Sequence, residues 1–170
     1  MKNSLKAIAV IGLVLGGALG ILGTIVTAQA ARAISWGIDG TALVVAASIL
    51  ALTYFRRGND CVAAGFLVYA IGEAVMLGGT AASLQASIAP FAAGTALWSA
   101  ALFLTSIPRE FILFARISGL IAAVLFAITS AGIFLGHPAT PISRPLPFFA
   151  YPFLVLTFIG WIYTILKKID

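Results

Sequence analysis

The chain has 170 residues, 62% of them hydrophobic and only 9% charged, with a formal net charge of +5. A water-soluble domain carries roughly a quarter charged residues, so this composition excludes an ordinary soluble fold. The apolar residues fall into continuous runs of about twenty without alternation, which fit membrane-crossing helices and exclude a transmembrane barrel. The fold expected is therefore all-α: one polytopic transmembrane domain, a bundle of six helices.

The positive charges sit singly or in pairs at the ends of apolar runs, where they carry topology rather than a nucleic-acid surface. Cys61 is the only cysteine and His137 the only histidine. An intrachain disulfide, a His/Cys zinc site and bis-histidine haem ligation are thereby excluded. No cofactor and no metal is expected, and no nucleic acid; Cys61 reads as a spectator thiol.

In chain order, a short basic head with Lys2 and Lys6 precedes a first helix expected over residues 7–28. Ala28-Gln29-Ala30 resembles a signal-peptidase site, so a cleaved signal over residues 1–30 stands as the alternative. The run exceeds the 7–15 apolar residues of signal peptides, which favours a retained helix. Gly12, Gly16, Gly20 and Gly23 form a small-residue stripe that lets another helix approach closely in lipid. Arg32, Trp36 and Asp39 read as the next polar junction, with Trp36 at the headgroup level and Asp39 capping the second helix or pairing with Arg32.

The second helix is expected over 38–55, ending at Arg56 and Arg57, and the third over 62–82. The fourth covers 87–107, Pro108-Arg109-Glu110 breaks the chain, and the fifth covers 111–135. Between Gly136 and Pro152 lie five of the seven prolines, which imply a stiff, extended connector. This connector could present His137 and Arg144 to a partner or an anionic solute. The sixth helix spans 148–166 and ends at Lys167 and Lys168.

Lys2, Lys6, Arg56, Arg57, Arg109, Arg116, Lys167 and Lys168 fall at one set of helix ends, and only Arg32 and Arg144 at the other. The positive-inside rule then puts both termini in the cytoplasm. Leu-x-Leu-Thr recurs at Leu50, Leu102 and Leu154, and Gly-Thr-Ala-Leu at Gly40 and Gly94. The spacing hints at three parallel helical hairpins.

Glu73 is the acidic residue that cannot reach water by shifting a turn, so it must be paired, neutral or facing a wet cavity. Tyr69 and Thr80 share its helix face. Arg116 shares a small-residue stripe with Gly119 and Ala123 on the fifth helix. The expectation is a Glu73–Arg116 pair with Tyr69 donating a second hydrogen bond; the alternative has Arg116 snorkelling and Glu73 protonated. The intramembrane site set is thus Glu73, Arg116, Tyr69 and Thr80, and the opposite-end polar set is Arg32, Asp39, His137 and Arg144. No catalytic motif or nucleophile–base pair is present, so no catalytic residue is assigned.

Gly65, Tyr69, Gly72-Glu73-Ala74, Pro108-Arg109 and the proline-rich approach to Trp161 occur in an order that resembles uncharacterised bacterial six-helix inner-membrane proteins, a group of unknown function. The resemblance implies a bacterial cytoplasmic membrane and no activity. Two functions stay open. One is a structural or interaction protein in the lipid bilayer, self-associating or bound to another membrane protein. The other is a small-solute or ion transporter or channel using Glu73.

Overall fold

A computed structural model describes residues 3–80 and 83–168. These residues form six α-helices: α1 (Asn3–Ile25), α2 (Gln29–Arg56), α3 (Asp60–Thr80), α4 (Ile88–Ser106), α5 (Leu113–Phe134) and α6 (Tyr151–Lys168). A single 3-10 turn, Phe148–Ala150, leads into α6. All six are long and apolar enough to cross a membrane. The protein is an all-α helical bundle with the dimensions of a membrane domain.

Each helix packs on its neighbours in sequence, and α1 packs on α6, so the six close into a ring. Polarity is arranged for lipid. Isoleucines 8, 11, 21 and 25 of α1 and 117, 121 and 128 of α5 face outward, while Ser35, Thr95, Ser99, Thr105, Ser118 and Thr157 are buried. Buried hydroxyls are satisfied locally: Thr95 donates to the Phe91 carbonyl at 2.8 Å and Thr105 to that of Ala101 at 2.9 Å. Such back-bonding lets a hydroxyl sit inside lipid-embedded protein without a second partner.

The helix ends also explain the basic residues. Carbonyls of a helix's last turn have no partner within the helix. Arg116 donates from Nε to the Ser106 carbonyl (2.8 Å) and from Nη2 to that of Ile107 (2.9 Å), closing α4. Lys6 donates to the Leu166 carbonyl of α6 at 3.2 Å. At the opposite end Arg32 does the same for α1, reaching the carbonyls of Gly23 (3.3 Å) and Val26 (2.7 Å). In each case a cation near the start of one helix caps the end of another, where the macrodipole is negative.

The glycine stripe of α1 is consumed inside the ring. A Cβ on Gly12 would come 2.7 Å from the Ala42 carbonyl oxygen, Gly16 is filled by Leu43, and Gly23 by the Trp36 indole. Gly16 meets Leu43 as Gly72 meets Leu97, and both leucines end a Gly-Thr-Ala-Leu motif. The hairpins α1–α2 and α3–α4 therefore pack alike. The third Leu-x-Leu-Thr copy is different: Leu50 and Leu102 lie near the ends of α2 and α4, but Leu154 lies in the first turn of α6.

Helix α1 runs three to four residues earlier than expected and α6 starts three residues later, behind the 3-10 turn; two elements differ more. Helix α2 begins at Gln29, nine residues before the expected Ile38, because Arg32 spends its charge on the end of α1 and the alanine-rich stretch around it is free to be helical. The proline-rich connector is folded rather than extended. Ser143 Oγ accepts from the Thr140 amide at 2.9 Å, and Tyr151 Oη donates to the Pro141 carbonyl at 3.0 Å, tying the turn to α6.

Candidate functional site

The centre of the ring is filled with aromatic side chains towards the basic end. Phe66 stands against Trp161 (ring centroids 4.7 Å), stacks on Tyr54 (5.6 Å) and meets Phe111 edge-on (6.1 Å). One turn further along α3, Tyr69 contacts Trp161 (6.1 Å) and Phe158 (6.0 Å) and stacks on Trp98 (5.7 Å). Beyond this plug the packing opens into a cavity of about 70 Å³.

The cavity lies in the half of the bundle remote from the basic end. Its walls are Gly16, Gly17 and Gly20 of α1, Trp36, Asp39 and Leu43 of α2, and Tyr69, Glu73 and Met76 of α3. Phe91 and Trp98 of α4 complete it, with Tyr151, Leu154 and Phe158 of α6 and Pro141 of the connector. Asp39 is ten residues into α2, roughly 15 Å from that end, and Glu73 is seven residues from the end of α3, roughly 10 Å. Two carboxylates from different helices thus border one internal space.

Glu73 is 3% exposed and accepts a hydrogen bond from Tyr69 Oη at 3.0 Å, the donor that their spacing of four residues predicts. Arg116 does not reach it. The expected Glu73–Arg116 pair is replaced by the capping of α4 described above, since Arg116 sits in the first turn of α5 and its nearest free acceptors are helix-end carbonyls. Thr80 ends α3, and its side chain lies outside the described residues.

Asp39 moves in the opposite direction, from headgroup residue to interior one. With α2 starting at Gln29 it can no longer cap that helix, and Arg32 is held by α1 rather than by Asp39. Its Oδ1 is buried without a hydrogen-bond partner. Its Oδ2 lies against Gly20, where a Cβ would be 3.0 Å away, and Trp36 beside it donates to the Gly20 carbonyl at 3.3 Å. Gly20 and Gly23 are therefore the seat into which Asp39 and Trp36 lower.

No family model, curated protein or solved structure matches this chain. The site must be read from its own chemistry. Of the opposite-end polar residues, His137 and Arg144 are exposed and stand apart from the cavity walls, Arg144 lying 4.3 Å over the Phe148 ring. Trp36, Trp98 and Tyr151 were not singled out by sequence as wall residues. The signal that could have found Trp98 is its place four residues after Gly94, on a helix whose glycine admits Met76 of α3. Among the described residues no three His, Cys, Asp or Glu side chains gather as a metal site.

The arrangement can hold positive charge. Two carboxylates supply it with acceptors, and aromatic faces of tryptophan and tyrosine add cation–π attraction. Most of the remaining wall is apolar, which lowers the local dielectric in which the carboxylates act.

Proposed function

We propose that the protein carries a small cation across the membrane, with Asp39 and Glu73 as the binding carboxylates. The observation behind this reading is that both line the same cavity while the arginines assigned to them, Arg32 and Arg116, are engaged at helix ends. Carboxylates inside a membrane domain are costly and mark ion, proton or substrate paths. The same oxygens that accept a cation can hold a proton instead, so the two ligands compete and exchange is the natural mode.

The aromatic plug around Phe66 and Trp161 supports a carrier closed on the basic side and loaded from the other. The eight-to-two distribution of basic residues supports a cytoplasmic basic side. The layout likeness to bacterial six-helix proteins supports the bacterial inner membrane as the location. A role as a self-associating subunit is weaker on this chain, because the α1 glycine stripe that would serve it already packs on α2.

The test is proton movement in proteoliposomes loaded with a pH-sensitive dye. Adding sodium, potassium or small amines outside should release protons from inside with wild-type protein. Glu73→Gln and Asp39→Asn should each lower the rate at least tenfold. Fluxes identical to wild type in both variants would refute the carrier reading.

A further inference from the structure

We propose that the occupant of this cavity is a small protonated amino alcohol, its ammonium group held by Asp39 and Glu73 and its hydroxyl oxygen by the Trp98 indole N–H. This rests on the cation-carrier reading and names the substrate class.

The donors and acceptors left open decide the class. Asp39 Oδ1 is buried with no partner and asks for a donor. Trp98 Nε1 is also buried with no partner, on a side chain only 7% exposed, and asks for an acceptor. Both residues line the same cavity. An unsatisfied buried group costs stability until something completes it. An inorganic cation would answer Asp39 and leave the indole N–H unpaired. An ammonium group needs only carboxylate acceptors and an aromatic face, and Trp36, Trp98 and Tyr151 stand in the wall.

Size restricts it further. A dry cavity of about 150 Å³ holds benzene, which has six heavy atoms. At about 70 Å³ the space here corresponds in proportion to about three. Protonated 2-aminoethanol, with four, is close to that size and has the charge and the pair of polar ends that the unpartnered atoms call for. The same ammonium–ethyl–oxygen fragment occurs in the headgroup of phosphatidylethanolamine, so the chemistry has two sources, a free solute and a lipid.

The experiment is equilibrium dialysis of full-length protein in lipid-free detergent with radiolabelled 2-aminoethanol, competed by propylamine, which replaces the hydroxyl with a methyl. Wild type should bind 2-aminoethanol at least fivefold tighter than propylamine. That preference should vanish in Trp98→Phe while the affinity for propylamine is kept. Glu73→Gln should weaken both amines at least tenfold, and Asp39→Asn gives the same answer should the first variant fold poorly. Competition by solubilised phosphatidylethanolamine, and none by phosphatidylglycerol, would assign the lipid as source; competition by neither would assign the free solute. Equal or tighter binding of propylamine overturns the amino alcohol. If no amine binds yet sodium or potassium drives Glu73-dependent flux, the substrate class is wrong and the carrier stands. If neither occurs, both fall.

Discussion

Whether Arg116 serves Glu73 or the end of α4 can be decided by a double-mutant cycle with Arg116→Met and Glu73→Gln. Arg116 is three residues into α5, about 5 Å from the basic end, whereas Glu73 is thirteen residues into α3, about 20 Å from it. The two therefore differ by about 15 Å in depth, with α4 between their helices. Arg116→Met removes two charge-assisted hydrogen bonds to the Ser106 and Ile107 carbonyls. Because the guanidinium is partly exposed, the loss is about 1–2 kcal/mol rather than the full value of a buried contact. Glu73→Gln keeps an acceptor for Tyr69 Oη and costs less than about 1 kcal/mol. Sites this far apart add to within about 0.5 kcal/mol, whereas breaking a buried ion pair costs about 3–5 kcal/mol from either side. The assay is reversible unfolding in mixed dodecyl maltoside–SDS micelles for wild type, both single variants and the double. Additive losses are expected. A coupling above about 1.5 kcal/mol would mean that the two charges do meet, and the capping argument would be refuted.

Gly20→Val sets a Cβ 3.0 Å from Asp39 Oδ2, so it should cut cation-driven proton release severalfold, while Gly37→Ala, with nothing within 4 Å of the added methyl, should leave it unchanged; the dye assay reads both. Trp161→Ala removes a ring that is 1% exposed and touches Phe66, Tyr69, Phe111 and Phe158. It should cost about 3–5 kcal/mol in micelle unfolding, and in liposomes it should raise passive proton leak through the opened plug; a stable, tight variant would contradict the plug. Cys61 is exposed in the first turn of α3 at the basic end. A membrane-impermeant maleimide should label it in inverted inner-membrane vesicles and not in intact spheroplasts, and the reverse pattern would invert the orientation.

The six spans could be read from the sequence because lipid leaves the helix little competition: every run long enough to cross had to be one. The Tyr69–Glu73 contact was legible for the same reason, being fixed by helical spacing alone. What escaped were the partnerships between helices. Arg116 and Arg32 look like candidates for the nearest buried carboxylates, and nothing local says that helix-end carbonyls will claim them first. Asp39 reads as a boundary residue through Arg32: once an arginine is taken to mark the water boundary, a residue seven positions on falls near it as well. The extra turns of α2 reverse that inference. The unpaired indole of Trp98 is legible only in three dimensions, since its isolation depends on Gly72 and Gly94 drawing α3 and α4 together.

The contact from Lys6 to the Leu166 carbonyl sets the first turn of α1 beside the last turn of α6. Because the ring closes at that seam, no helix in it is first in any geometric sense. A short linker across the seam, with the chain reopened at the Gly58 turn between α2 and α3, would keep every helix on its present neighbours. The new ends would emerge on the same basic face as the old ones, so the eight-to-two charge pattern would survive the change in order. Sequence order in this fold is a route around a circle, and the carboxylate chamber is indifferent to where the route begins.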